Sequence, residues 1–398
     1  MTAIPLIALG LTIHEAVMGG LGLAASRTIT PILDLIPPTP PTDRRPGVSV
    51  VITAKDEARD IEATVRRFVG QTHVDLEVVV VDDRSTDGTG AILDGLVAEF
   101  GGGRLRVIHN TVLPKGWLGK SHACGLGAAS ARKTWILFAD GDVSLDPPDF
   151  LARVVDHCER EAIDHLALVP DTRPMSPLKA ATVGVFGRLY SLGTLAHEQT
   201  ADRPRGGGGV GAFNLLRRDV YERIGGHGAL PLDTGDDFKL GRVVKRWGFR
   251  QRLRHGLDTV RCPWHDTAWL LVKGLEKNFF GGFWYSPTLV VAFTVGLLAT
   301  VYGPLVWAVV AASGACGDVA PLWMFLPLVA KFAPMTIEWW TIGRRLGFGL
   351  STLIGQYAGA ALILVALWNS MITILRRGGV SWRDSFYPLA ELRKHQLP

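Results

Sequence analysis

After a proline-rich stretch near its start, the chain alternates short apolar runs with stretches whose apolar positions recur at helical spacing. Residues 48–53, 76–82, 105–109 and 134–139 are strand-like runs, and 57–69, 88–99 and 119–132 between them read as helices. Strand and helix in alternation predict an α/β fold, a mostly parallel sheet covered by helices. Ligands of such sheets bind beyond the carboxyl ends of the strands. The acidic motifs of this chain stand at those ends.

The two ends of the chain follow another pattern. Residues 3–25 are mostly apolar, interrupted by His14 and Glu15, and no Lys or Arg precedes Arg27, so the segment reads as an uncleaved anchor. The His14–Glu15 pair either faces a neighbouring helix or touches a substrate headgroup. Residues 31–47 hold six prolines, the composition of an extended spacer. Segments 287–313, 320–340 (carrying Lys331 and Glu338) and 346–375 are each long enough to cross a bilayer. The expected organisation is an anchor over 1–26, a linker over 27–47, a catalytic domain over 48–262, an interfacial segment over 263–286, membrane helices over 287–375 and a basic tail over 376–398. Three C-terminal crossings from an internal domain put Arg344 and Arg345 inside but the tail outside, against the positive-inside rule. The tail is expected inside, with the third segment re-entrant or interfacial.

Composition sharpens this picture. Mean hydropathy is +0.21, and nine of twelve tryptophans lie at or after Trp264, as interfacial belts require. The net charge of +5 sits beside apolar segments, and reads as cytoplasmic membrane flanks, with no nucleic-acid partner. Four cysteines without a CxxC pair argue against a zinc site or a disulfide framework and suit a reducing compartment.

Four motifs carry candidate chemistry. The first strand ends in Thr53, Lys55 and Glu57, candidate nucleoside contacts; Glu57 alternatively favours the next helix start by its charge. The second strand ends in Asp82 and Asp83, adjacent carboxylates that repel unless a cation or donor is bound, and that could read an imide N–H. Asp140 and Asp142, one residue apart around Gly141, share a side and fit a magnesium or manganese site holding a diphosphate. Asp236 and Asp237 open a helix and are the candidate catalytic pair; Asp237 is the candidate general base, and capping could suffice for Asp236. Lys115 and Lys120 are either phosphate contacts or solvated lysines. Gly206, Gly208 and Gly211 satisfy GxGxxG, yet no strand leads into them, so a dinucleotide loop is excluded. A flexible loop near the acceptor, with Gly209 and Gly211, is the alternative.

In their order these motifs, over about residues 48–250, resemble the GT-A-fold glycosyltransferases of family 2. Segments 117–123 and 378–387 resemble bacterial membrane members that glycosylate hopanoid, carotenoid or ceramide-type lipids. The resemblance implies that Glu57 and Asp83 contact the nucleoside, that Asp140 and Asp142 serve the ribose–diphosphate and the metal, and that Asp237 is the base. It favours UDP as the donor nucleotide. The Gln-x-x-Arg-Trp motif of processive synthases is replaced by Glu276-Lys277-Asn278-Phe279-Phe280, against polymer synthesis. Lys277 either meets the diphosphate or snorkels; His265 is either a metal or phosphate contact or a structural histidine. Helix 177–199 and the aromatic run 279–285 form either an acceptor platform or a plain anchor. The expectation is an inverting, non-processive, metal-dependent transfer from a nucleotide sugar to a membrane lipid, by a multi-pass protein of the cytoplasmic membrane. Nucleotidyl transfer lacks its glycine-rich loop, since Ala54-Lys55-Asp56-Glu57 stands there. The non-enzymatic alternative is a nucleotide-sugar-binding scaffold of an envelope complex.

Overall fold

The computed structural model describes residues 3–41, 43, 45–199, 202–262, 264, 265, 267–317 and 319–395. The chain forms two compact units, one of Met1–Thr28, Arg173–His197 and Trp264–Leu389, the other of Ile29–Thr172, Glu198–Pro263 and Ala390–Pro398.

The second unit is an α/β sandwich on an eight-stranded sheet. Its strands are β1 (Gly47–Ala54), β2 (Asp75–Asp83), β3 (Leu105–Asn110), β4 (Trp135–Asp140), β5 (Ser144–Leu145), β6 (His165–Asp171), β7 (Asn214–Arg217) and β8 (Gln251–Arg261). The spatial order is β3-β2-β1-β4-β7-β6-β8-β5. β3, β2, β1 and β4 run parallel, and β7 is antiparallel to both its neighbours. Val50, Val51, Ile52 and Val78 through Val81 are fully buried, as strands covered on both faces must be. In-register pairing sets Thr53 beside Asp140 and Ala54 beside Asp82, so the acidic strand ends share one edge. Helix Gly119–Ala129 lies directly on β1: a Cβ on Gly127 would stand 2.3 Å from Val51 Cγ1.

The helix expected from 57 begins only at Ile61. Side chains of the 85–89 loop claim the amides ahead of it: Asp56 N–H donates to Ser85 Oγ, Glu57 N–H to Thr89 Oγ1 and Ala58 N–H to Asp87 Oδ2. The helix expected over 119–132 ends at Ala129. The proline segment is not a free spacer over its whole length. Ile32 and Ile36 are buried, Pro31 bridges to His255, and Pro37 O accepts from Arg153 Nε.

The first unit is helical. Three of its helices, Pro5–Thr28, Pro287–Ala312 and Thr352–Arg377, are long and apolar enough to cross a membrane. Pro321–Glu338, in place of the crossing expected over 320–340, spans 18 residues, carries Pro327 and Pro334 inside, and is not among the three. Ser286 caps the helix that Pro287 opens, and Gly378 (φ 70°) ends Thr352–Arg377. Glu15 meets Lys331 at 3.4 Å and His14 meets Thr300 at 2.9 Å, so His14 and Glu15 both face neighbouring helices. The helix expected over 177–199 stops at Gly193. The run 279–285 folds into short turns with Phe280 and Tyr285 buried and Trp284 exposed.

Candidate active site

The chemistry gathers around a glycine. A Cβ on Gly211 would stand 2.6 Å from Asp140 Oδ2, 3.0 Å from Asp237 Oδ2 and 3.1 Å from Lys120 Nζ. Three charged groups from a strand end, a helix start and a second helix start therefore converge where this residue has no side chain. Lys120 Nζ donates to Asp140 Oδ1 at 2.6 Å. Burial alone would depress this ammonium, but the carboxylates of Asp140, Asp236 and Asp237 outweigh it and hold the group well above its usual value.

Asp236 and Asp237 are the first two residues of helix Asp236–Arg246, where the helix dipole favours negative charge. They diverge from there. Asp237 is half-exposed, its Oδ1 accepting from Phe238 N–H and its Oδ2 facing Gly211. Asp236 is buried, and desolvation, with Asp237 and Asp140 nearby, pushes its carboxyl up to about 7. Its Oδ2 lacks a hydrogen-bond partner, and His227 Nε2 stands 3.8 Å away. Cys124 completes this buried group, whose donor atoms lie within 4.8 Å of one another. His227 is oriented by Tyr221 Oη at 3.0 Å, and burial depresses its imidazole to about 3. The Asp233–Lys239 pair (2.6 Å), almost completely buried, ties the preceding turn to the helix.

Asp142 lies one residue beyond Gly141 and is exposed. Crowding by surrounding protein, then the Asp140 carboxylate, raises its carboxyl above the ordinary range. Cys262 Sγ approaches it at 3.8 Å. Gly141 also faces Glu57 Cγ at 3.4 Å from its Cβ position, which puts Glu57 at the same edge. Thr53 lines a small cavity with Lys120, Asp140, Asp236 and Asp237. Gly209 has no room for a side chain either, with Asp237 O and Asn214 Nδ2 at 2.1 and 2.7 Å from its Cβ position. The glycine loop is thus packed against Asp237 and Asn214.

Asp82 and Asp83 do not repel as a bare pair, because successive strand residues point to opposite faces. Asp82 turns toward Gly90 and accepts from His109 at 3.0 Å, and its Oδ1 has no partner. Asp83 turns toward Gly119 and accepts from Arg84 and Asn110. Lys55 Nζ donates to the Arg84 carbonyl at 2.9 Å. Lys115 is exposed. His265 and Lys277 belong to the other unit: His265 packs on Gly274, and Lys277 lies over the Trp382 ring at 4.0 Å. Pro263 and Asp266, which flank His265 in sequence, lie outside the described residues.

Sequence reasoning passed over Asn214. This lone polar residue in the apolar run 212–216 bonds His165 through Oδ1 at 2.5 Å, and its Nδ2 donates to the Asp237 carbonyl at 3.4 Å. It also passed over His227, whose signal was a histidine between glycines at 225–228.

Comparison with known proteins gives one family match and several relatives. Residues 49–225 match the model of "Glycosyl transferase family 2". The 4,4'-diaponeurosporenoate glycosyltransferases of Staphylococcus aureus strains USA300 and NCTC 8325 are each 23% identical over 357 residues, covering 87% of this chain and 89% of theirs. Among solved structures, the mannosyltransferase PcManGT from Pyrobaculum calidifontis, in complex with GDP-Man and Mn2+, aligns with a TM-score of 0.55 at 20% identity, covering 92% of this chain and 98% of that one.

Proposed function

The chain carries a family 2 glycosyl transferase domain on the GT-A fold, together with helices fit to cross a membrane, and on that premise we propose that it moves a sugar from a nucleotide sugar to a hydroxyl of a membrane lipid, with inversion. One observation carries the reading: the convergence of Asp237, Asp140 and Lys120 on the space above Gly211. A base, a carboxylate suited to a cation and a fixed ammonium stand within one contact distance of a common point, as a single in-line displacement needs.

In that displacement Asp237 Oδ2 takes the proton of the acceptor hydroxyl, and the freed oxygen attacks the anomeric carbon. The bond from that carbon to the phosphate oxygen breaks on the opposite side. Lys120 offsets the charge left on the diphosphate. Asp142 and Asp140 are the residues that would hold Mn2+ or Mg2+. Their donors fit a hard divalent cation: two carboxylates one residue apart, one of them raised partly by the like charge of the other. When bound, such an ion neutralises the diphosphate as it leaves. Asp236, buried and raised, supports the base and does not share its role.

The lipid acceptor draws support from the relatives named as diaponeurosporenoate glycosyltransferases and from the membrane helices. The donor is a nucleoside diphosphate sugar, with uridine the first nucleotide to test and guanosine beside it. We propose the cytoplasmic side for the catalytic unit, where such donors are made.

The test is a transfer assay on detergent-solubilised protein with manganese, radiolabelled nucleotide sugars and total membrane lipid extract, with Asp142→Ala alongside. Label entering the organic phase, and lost in the variant, is the expected result. Label released into water as free sugar would overturn the lipid acceptor, and no consumption of any donor would favour a nucleotide-sugar-binding scaffold.

A further inference from the structure

Arg84 adopts a left-handed backbone conformation (φ 60°), which a residue with a side chain rarely takes and which the surroundings must impose. Here they impose it from both sides. Its N–H donates to Asn110 O at 2.9 Å, and its carbonyl accepts from Lys55 Nζ at 2.9 Å. The next residues are held as well, with Ser85 Oγ accepting from Asp56 N–H at 3.0 Å and Thr86 N–H donating to Asp56 Oδ1 at 2.8 Å. In this conformation the side chain folds back onto the residue before it. Nε donates to Asp83 Oδ1 at 3.0 Å and Nη2 to Asp83 Oδ2 at 2.8 Å, fork to fork. Asn110 Nδ2 adds a third bond to Oδ1 at 2.7 Å.

The location of the pair matters as much as its geometry. A Cβ on Gly119 would stand 2.6 Å from Asp83 Oδ2 and 2.7 Å from Arg84 Nη2. The helix start therefore passes directly over the pair, and its next residue is Lys120, which meets Asp140. Two aromatic rings flank the same spot. His122 Nδ1 lies 3.4 Å from Asn110 Nδ2, and Trp117 packs edge-on against His122 with centroids 5.6 Å apart. A carboxylate, a guanidinium and flat rings stand side by side, one residue from the diphosphate lysine.

We propose that Arg84 is a specificity-determining residue that reads the donor's nucleobase jointly with Asp83, and that the pair selects a base offering an imide N–H beside a carbonyl, as uracil and guanine do. The inference rests on the nucleotide-sugar reading above. The carboxylate accepts the imide N–H, and the guanidinium donates to the neighbouring carbonyl. Cytosine and adenine present the reverse order, a ring nitrogen acceptor beside an amino donor. They would set lone pair against carboxylate and N–H against guanidinium, a repulsive as well as an attractive basis for choice. In the donor-free structure each member of the pair satisfies the other, so the buried Asp83 carboxylate is kept from standing uncompensated.

The experiment measures the affinity of the full-length protein in detergent for UDP, GDP, CDP and ADP with magnesium, by calorimetry. The wild type is expected to bind UDP and GDP roughly tenfold or more tighter than CDP and ADP, the discrimination typical of one bidentate base contact. Arg84→Lys keeps the charge and loses the planar fork, and Arg84→Gly suits the positive φ. Both are expected to bring the four affinities within about threefold by loss of UDP and GDP binding, with CDP binding and melting temperature near wild type. Either variant retaining the wild-type ratio would overturn the inference. So would an equal loss for all four nucleotides with a lowered melting temperature, which would make Arg84 a structural clamp, or equal affinities in the wild type. A wild type that binds none of the four would instead overturn the nucleotide-sugar reading itself.

Discussion

Replacing Gly211 by alanine tests whether the convergence above it is the working geometry. Gly211 has no positive φ of the kind that favours glycine, so its backbone accepts alanine and the perturbation is steric. The added methyl would lie 2.6 Å from Asp140 Oδ2, where ordinary contact begins at 3.4 Å, so that carboxylate must retreat by about 0.8 Å. Asp237 Oδ2 must move about 0.4 Å and Lys120 Nζ about 0.3 Å, each in a different direction. The Lys120–Asp140 bond of 2.6 Å cannot survive those shifts unchanged. Misplacement of reacting groups by ~1 Å costs ~10²-fold in rate, so shifts of this size are expected to lower transfer by ~10- to 100-fold. A glycine-to-alanine change also restricts the unfolded chain, which partly offsets the local crowding, so the melting temperature should move little. The assay is initial rate of lipid glycosylation at saturating donor, with melting temperature measured on the same preparation. A variant that melts like wild type and transfers sugar within threefold of it would refute the convergence as the catalytic arrangement.

Asp237→Asn should leave donor affinity near wild type while transfer falls ~10²–10⁴-fold; unchanged turnover would remove Asp237 from the base role. His109 is raised above its ordinary value, first by its bond to Asp82 and then by that to Asp94. The stability it contributes is therefore fully present below about pH 6.5 and is lost as pH rises through the folded-state value. His109→Ala should flatten melting temperature against pH across that window, and an unaltered slope would show that the contact contributes nothing. A tag on the C-terminus should stay intact when sealed right-side-out cells are treated with protease; its digestion would put the tail outside.

The strands and their acidic ends were legible because both rest on local rules. Apolar runs of strand length have a period, and carboxylates at their ends have a place in the fold whatever the tertiary detail. The helix expected from residue 57 failed where local rules were overridden from 30 residues away, by Ser85, Asp87 and Thr89 taking the amides of 56–58. The Asp82–Asp83 pair was expected to need a cation or a donor, and each carboxylate has one, on opposite faces because alternation along a strand separates them. What sequence could not supply was the partner on each face, His109 for one and Arg84 with Asn110 for the other. Nor could it show that Gly211 is the point of closest approach, since the residues converging there come from positions 120, 140 and 237. Cys124, His227 and Asp236 are likewise far apart in sequence and lack any ligand-like spacing, yet their donor atoms share one buried spot.

The charge arithmetic of the membrane segments resolves on contacts within the helical unit. The helix Thr352–Arg377 ends beside the segment that precedes Pro287. Arg377 Nη1 pairs with Glu276 at 3.5 Å, Asn369 Nδ2 donates to the same carboxylate at 2.8 Å, and Lys277 covers the Trp382 ring. We propose from these contacts that the end of the last apolar helix and the start of Pro287–Ala312 share a side of the membrane. Between those points the chain must cross an even number of times, so one of the three expected crossings is not one. Pro321–Glu338 is the weakest of them, at 18 residues with two internal prolines and with Lys331 turned to Glu15. Two crossings would then leave Arg376, Arg377, Arg383, Arg393 and Lys394 on the side where Pro287–Ala312 starts, with Arg344 and Arg345 opposite and Arg344 stacked on the Trp340 ring at 3.8 Å. Five cations against two satisfy the positive-inside rule, which three crossings violate. We therefore keep the inside tail as a proposal, tested by protease protection of its tag, and propose the second segment in place of the third as the one that does not cross.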